Sequence, residues 1–127
     1  MLYICGGEKH KKESDNMQIT RGDYDVIPFI RMDENGNVIK DIPEKVYFSV
    51  KKDANDKEAL LQKTLDDGIT IDENFNYNIE FTSDDTDNLG FGLYVYDICI
   101  KNGDKPSTIH KGYFEVTYEV THKNNEV

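Results

Sequence analysis

Apolar and polar residues alternate along much of the chain, and this alternation predicts β-strands. Between Lys45 and Lys52 every second residue is apolar, which gives one apolar face and one polar face. The segment Asn76–Thr82 repeats the pattern. Leu93–Lys101 is apolar on both faces, which predicts a strand in the centre of a sheet. The last predicted strand is Thr108–Thr121.

Glycine, asparagine and aspartate mark the turns between these strands. Asp33–Asn37 contains the dipeptide Asn-Gly and predicts a hairpin turn, as does Asn102–Asp104. A short helical turn is predicted over Asp53–Leu61, where an aspartate or an asparagine can cap it. Ser83–Leu89 is expected to be a polar connection, either irregular or one helical turn with its serine as the cap.

This spacing of short strands and turns predicts an all-β fold, an Ig-like antiparallel β-sandwich of about seven to eight strands with one short helical turn. The chain lacks the Cys–Trp–Cys signature of true immunoglobulin domains. The sandwich is expected over residues 17–121. Residues 1–16 are expected to form a disordered or extended tail, and residues 122–127 a second tail. No internal repeat stands out.

Composition narrows the possible partners. The 127 residues suffice for one domain, and the formal net charge is −10. A surface this acidic repels nucleic-acid phosphates and anionic lipid headgroups, so neither nucleic acid nor a membrane is expected as a partner. A basic protein surface or a divalent cation would suit it, although a solvated acidic surface explains the same composition.

The cysteines and the hydropathy favour a protein made in the cytoplasm. Cys5 and Cys99 are too few for a disulfide framework, and neither has a neighbouring histidine that would activate it. No stretch approaches the roughly 18 apolar residues needed to span a bilayer. The N-terminus does not read as a signal peptide.

Two acidic segments are candidate cation sites. Asp33–Asn37 together with Glu44 partly matches a calcium loop, but Val38 stands where the loop needs glycine. A cluster in the connection before Leu89 comprises Asp84, Asp85 and Asp87. A hairpin turn and helix-capping acids explain these residues more simply, and no metal site is predicted.

No catalytic group can be assembled from the sequence. Of the three histidines, His10 and His122 lie in or next to the predicted tails, and His110 has no cysteine, aspartate or second histidine at ligand spacing. The serines lie in no nucleophile-elbow context, and no phosphate-cradling glycine loop is present. We therefore expect neither an enzyme nor a bound cofactor. Arg21-Gly22-Asp23 matches a cell-adhesion tripeptide, and ordinary turn chemistry explains it equally well.

Aromatic residues are the candidate binding groups. Tyr94, Tyr96, Tyr113 and Phe114 could form a platform on which sugars stack, whereas core packing or a subunit interface is the more frequent role of such residues. The predicted interface residues are Tyr47, Tyr94, Tyr96 and Tyr113.

A family resemblance lies in the order of these segments between Gln18 and Val120. The segments that carry it are Ile19–Asp23, Asp33–Asn37, Val46–Asp56, Leu60–Lys63, Ser83–Leu89, Gly92–Ile98 and Lys111–Val116. Their order and spacing resemble the N-terminal domain of phage baseplate upper proteins and their prophage relatives. Family members commonly carry more chain after this domain, whereas this sequence ends at Val127.

The resemblance implies a structural module of a phage or prophage virion. Such a module would be made in the bacterial cytoplasm and incorporated into the tail baseplate. It would bind other tail proteins, would form a homo-oligomer, and would support attachment to the host surface. The alternative is a carbohydrate-binding β-sandwich that recognises cell-surface glycans.

Overall fold

The computed structural model describes residues 2–5 and 16–118, and within them it confirms the all-β prediction. The described residues form nine strands and one short helix. The elements are β1 Leu2–Cys5, β2 Met17–Thr20, β3 Asp25–Met32, β4 Lys45–Lys51, β5 Leu61–Leu65, β6 Gly68–Ile71, β7 Asn76–Phe81, α1 Ser83–Asp87, β8 Gly92–Asn102 and β9 Lys105–Thr117.

The strands form one continuous sheet in the order β1-β3-β7-β6-β5-β4-β8-β9-β2. The pairs β3–β7, β6–β7, β4–β5, β4–β8 and β8–β9 are antiparallel. The pairs β1–β3, β2–β9 and β5–β6 are parallel. The sheet is therefore mixed, and this corrects the purely antiparallel prediction of seven to eight strands. The parallel pairs come largely from the short N-terminal strands, which the alternation pattern does not orient.

The sheet curls so that its two halves face each other. β7 and β9 are far apart in the strand order, yet the rings of Phe81 and Phe114 lie 5.7 Å apart. Phe48 of β4 contacts both, with ring centroids 5.6 Å from Phe81 and 6.0 Å from Phe114. The curl gives the molecule its sandwich character. The antiparallel orders β3-β7-β6 and β5-β4-β8-β9 correspond to the strand orders B-E-D and C′-C-F-G of immunoglobulin domains.

The apolar side chains at every second position of the strands fill the space between the two halves. Val46, Phe48 and Val50 of β4 are fully buried, and Tyr77, Ile79 and Phe81 of β7 are too, as the pattern predicts. Side chains at the intervening positions point away from the core. Every sheet element thus has an inner and an outer face.

The N-terminal segment differs from its prediction. Leu2–Cys5 pairs with β3, and Ile4 is buried in the core, so the predicted tail over residues 1–16 is wrong for these four residues. Four residues followed by Gly-Gly are too few for a sequence pattern to separate a strand from a tail. Residues 6–15 lie outside the described residues, as does the predicted tail over 122–127.

The helical turn predicted over Asp53–Leu61 is wrong, whereas the helical alternative for Ser83–Leu89 is confirmed. Asp53–Leu61 contains turns and bends, and the helix is Ser83–Asp87. Thr82, rather than Ser83, is its N-cap, and Asp85 completes a capping box by accepting a hydrogen bond from the Thr82 N–H. Thr82 and Ser83 both carry a hydroxyl that can cap a helix, and only the structure shows which of them does.

Candidate functional site

The four predicted interface tyrosines lie on two different faces of the sheet. Tyr94 and Tyr96 are only 6% and 2% exposed, because the alternation of β8 places both on the inner face. Tyr94 donates a hydrogen bond to the carbonyl of Gly90 at 2.7 Å, and the Tyr96 ring packs 5.5 Å from that of Phe48. The prediction that these two tyrosines form an exposed interface is wrong, and they are core residues.

Tyr47 and Tyr113 are on the outer face of the half formed by β4, β8 and β9. Tyr47 is half-buried opposite Cys99, and Tyr113 is 51% exposed opposite Val95. These two partners on β8 are four residues apart, so the two tyrosine rings lie in different parts of the outer face. Phe114, the remaining aromatic of the predicted platform, is fully buried.

A shallow groove of about 320 Å³ runs across this outer face beside Tyr113. Its floor includes Val95, and Ala54 from the β4–β5 connection forms one wall. Charged and polar groups border it, namely Ser49, Lys51, Asp97 and Lys111. The groove combines an aromatic ring with hydrogen-bonding groups on a rigid sheet.

Exposed apolar side chains continue from the groove toward the start of β8. Leu93 is 52% exposed, and it lies diagonally across from Tyr113 because its direct partner is Glu115. Phe91 and Tyr118 are also exposed, and their ring centroids are 3.7 Å apart. We call Phe91, Leu93, Tyr113 and Tyr118 the apolar patch. Leu93 occupies an odd-numbered, outward-facing position of β8, so the alternation could have identified it. The search among tyrosines missed it.

Arg21 of the adhesion-like tripeptide is held by the protein itself. One guanidinium nitrogen donates to the carbonyl of Asp87 at 2.9 Å, and the guanidinium carbon lies 5.4 Å from the Phe91 ring centroid. The Gly22 N–H donates to the buried Thr86 hydroxyl at 2.8 Å. The tripeptide therefore forms a turn that fastens β2 to α1, and its arginine is not presented for adhesion.

The calcium-like segment is a hairpin turn. Both Asn35 and Asn37 donate their backbone N–H groups to Oδ1 of Asp33 at 2.9 Å. The backbone hydrogen bond from Asn37 is the largest cause that holds the pKa of Asp33 below its usual value. Desolvation opposes it, and the weaker hydrogen bonds from Asn35 and Gly36 act with it. Among the residues that the structure describes, no three His, Cys, Asp or Glu side chains are grouped to hold a metal ion.

The remaining cysteine, histidine and aspartate residues that were considered as candidates, where the structure describes them, lie in elements of the fold. Cys99 has a free thiol opposite Tyr47, and His110 is buried with its ring 6.0 Å from Tyr96. Asp84, Asp85 and Asp87 belong to α1. His10, His122 and the side chain of Cys5 are outside the described part of the chain.

No model of a known protein family matches the sequence, and no curated protein matches it either. Within residues 2–5 and 16–118 there is no helix long and apolar enough to cross a membrane.

Proposed function

We propose that the chain is a structural module of a phage or prophage tail baseplate that acts by binding other proteins through the outer face of β4, β8 and β9. The observation that carries the proposal is the apolar patch. Leu93 and Tyr113 are half-exposed at diagonal positions of β8 and β9, and Phe91 and Tyr118, whose tilted rings lie 3.7 Å apart, are exposed next to the same ends of these strands. Contiguous exposed apolar groups on a sheet commonly mark protein-binding surfaces.

The virion context is supported by the resemblance of the ordered segments. Ile19–Asp23 lies in β2 and the turn after it, and Asp33–Asn37 forms the turn that follows β3. Gly92–Ile98 and Lys111–Val116 lie in β8 and β9, the strands that carry Leu93 and Tyr113. The resembling segments thus include these two residues of the apolar patch. The protein would be made in the bacterial cytoplasm and incorporated into the tail.

Particles purified from the bacterium that carries the gene provide the test. After prophage induction and density-gradient purification, we expect the tagged chain to sediment with the particles in a fixed ratio to a tail protein. Leu93→Lys should abolish this association because it places a charge in the apolar patch. Leu60→Lys is the matched control, since Leu60 is equally exposed, at 55%, on the β4–β5 connection. A chain found only among free proteins would contradict the proposal.

A second candidate function, glycan binding, is favoured by the groove. The Tyr113 ring lies beside Ser49 and Asp97, which offer hydrogen bonds next to a stacking surface. A glycan array separates the two functions. Binding that disappears in Tyr113→Ala but survives in Leu93→Lys would favour the carbohydrate-binding module, whereas no binding above background agrees with a protein-binding surface.

A further inference from the structure

The outer face of β4, β8 and β9 carries an unusual charge for this protein. The chain has 25 acidic and 15 basic residues. On this face, however, lysines outnumber carboxylates, as the register of the strands shows. The lysines are Lys45, Lys51, Lys101 and Lys111, and the carboxylates are Asp97 and Glu115. We call this surface the lysine face.

Folding accounts for Lys111, which is directly opposite Asp97 on β8, but not for two of the other face lysines. Lys45 and Lys101 are directly opposite each other on β4 and β8, and like charges in this position destabilise a sheet. Among the described residues the ion pair is Lys63–Asp85, so none of the face lysines is paired with a carboxylate of this part of the chain. Within residues 2–5 and 16–118, an ion-pair partner for these ammonium groups is therefore lacking, and an acidic partner protein would supply one.

The lysine face also has an apolar centre. Val95 and Tyr113 oppose each other there, and Lys51 and Lys111 border the same groove. Leu93 adjoins Tyr113 and is half-exposed. An apolar centre with a charged rim is the usual composition of a protein–protein interface.

The opposite side of the sandwich differs in charge, because Glu80 is the one charged residue at the described outer positions of β3, β6 and β7. The outer positions of β3, β6 and β7 contain no lysine or arginine. Tyr24 and Val26 are exposed at its end, and the Tyr24 hydroxyl donates to Oε2 of Glu80 at 2.8 Å. Asp25 is exposed beside them. We call this surface the Glu80 face.

We infer that copies of this chain associate head to tail, with the lysine face of one copy on the Glu80 face of the next. The inference rests on the proposed function, since it names a second copy as one partner of the protein-binding module. The two faces are different surfaces on opposite sides of the molecule, so the contact is heterologous, and it generates a ring or a filament rather than a two-fold dimer.

The net charge does not prevent this contact at physiological salt. At about 0.15 M ionic strength the Debye length is about 8 Å, so the acidic loops of neighbouring copies largely do not repel one another. Lysine and carboxylate groups in direct contact are screened much less. Charge complementarity can therefore set the orientation of association.

Charge reversal tests the inference. Sedimentation velocity at about 0.15 M salt, with the wild-type chain between about 10 µM and about 1 mM, covers the range of weak interfaces. We expect species larger than a dimer to accumulate as concentration rises. The variants Lys51→Glu/Lys111→Glu and Glu80→Lys should each weaken association by about tenfold or more. An equimolar mixture of the two should recover it, because the reversed faces are again complementary.

The recovery in the mixture distinguishes a lost contact from a misfolded variant. Lys40→Glu/Lys57→Glu is the matched control, since it changes the net charge equally at exposed sites outside both faces. A control that loses as much association as Lys51→Glu/Lys111→Glu, or a mixture that recovers none, overturns the inference.

The outcome is also separable from that of the particle experiment. A wild-type chain that stays monomeric but sediments with particles overturns head-to-tail association alone. A chain that self-associates but never sediments with particles overturns the virion proposal and leaves this inference standing.

Discussion

Nζ of Lys63 lies 2.7 Å from Oδ2 of Asp85, and this ion pair ties β5 to α1. The same carboxylate oxygen accepts the backbone N–H of Thr82 at 2.7 Å. Both charged side chains are largely buried, with 13% and 17% of their surface exposed. One carboxylate therefore caps the helix and fastens it to the sheet.

We expect Lys63→Ala to lower the free energy of unfolding by about 1–3 kcal/mol, because it leaves a shielded carboxylate without its cation. Urea denaturation measures the loss. Lys57→Ala is the control, since Lys57 is exposed and forms no ion pair within the described residues; its effect should be within about 0.5 kcal/mol. Equal effects of the two substitutions would contradict the role of the ion pair.

The ion pair also predicts the acid sensitivity of the fold. Partial burial acts to raise the pKa of Asp85, but the hydrogen bonds from Lys63 and Thr82 outweigh it, so the pKa is below the ordinary 3.8. A lowered pKa stabilises the folded state above pH 3.8, and this contribution is lost as pH falls through the folded-state pKa.

Denaturation curves between pH 5 and pH 2 should therefore show a smaller loss of stability in Asp85→Asn than in the wild type. Asp33 and Asp72, whose pKa values are also lowered, contribute the same sign of dependence in both proteins. Parallel wild-type and Asp85→Asn curves would show that Asp85 titrates alike in the folded and unfolded chains.

The strands were predictable where alternation is strict, and the pairing of distant strands was not. β4 and β7 follow from period-two patterns and β8 from a run that is apolar on both faces, and each occupies its predicted segment. β1 and β2 are short and pair in parallel with β3 and β9, and no local pattern encodes a partner so distant in sequence. The ion pair between Lys63 and Asp85 is equally non-local.

Two turns of the chain share a motif that sequence reasoning missed. Asp33–Asn37 and Asp72–Asn76 both read Asp-Glu-Asn-X-Asn. In each turn the aspartate carboxylate accepts the N–H groups of both asparagines, at distances of 2.9–3.0 Å. The fourth residue is left-handed in both turns, with φ of 86° at Gly36 and 66° at Phe75.

Gly36→Ala tests the backbone of the first turn without a steric complication. A Cβ at Gly36 would have no atom within 4 Å, so the expected loss of about 1 kcal/mol would come from the left-handed conformation alone. Thermal or urea denaturation measures it. A neutral Gly36→Ala variant would show that this turn relaxes to another conformation.

Gly68→Ala should cost more, because a Cβ there would collide with Cδ of Lys63. The collision would displace the side chain that pairs with Asp85. A double-mutant cycle with Lys63→Ala isolates this effect, and the excess cost of Gly68→Ala over Gly36→Ala should shrink in the Lys63→Ala background. Strictly additive losses would show that the Lys63 side chain is not displaced.

The outer face shows how far the candidate site could be predicted. Alternation correctly separates Tyr113 from Phe114, but the tyrosines of β8 were assigned to an interface by residue type, although their even positions place them inside. The charge of the lysine face depends on the register between β4 and β8, which brings Lys45 opposite Lys101. That register is a property of the assembled sheet.

Phe48 is the residue on which the closure of the sheet depends most. Its ring contacts Phe81, Tyr96 and Phe114 from both halves. Phe48→Ala should lower the free energy of unfolding by about 3–5 kcal/mol, because it removes a fully buried ring and leaves a cavity. Phe91→Ala, at an exposed position, should cost less than half as much. Similar losses would argue against a shared aromatic core.

For Tyr77 we predict the opposite result, because removing its hydroxyl should not lower the free energy of unfolding. Its ring stacks on Phe29 with centroids 4.8 Å apart, while its buried hydroxyl forms no hydrogen bond with any described residue. A buried unsatisfied hydroxyl costs about 1–3 kcal/mol, so Tyr77→Phe should leave the fold as stable or make it more stable by about 1 kcal/mol. Tyr94→Phe is the matched control, because the Tyr94 hydroxyl has a partner in Gly90 and its removal should be destabilising. If urea denaturation instead shows Tyr77→Phe to be the more damaging substitution, the Tyr77 hydroxyl has a hydrogen-bonding partner in solution.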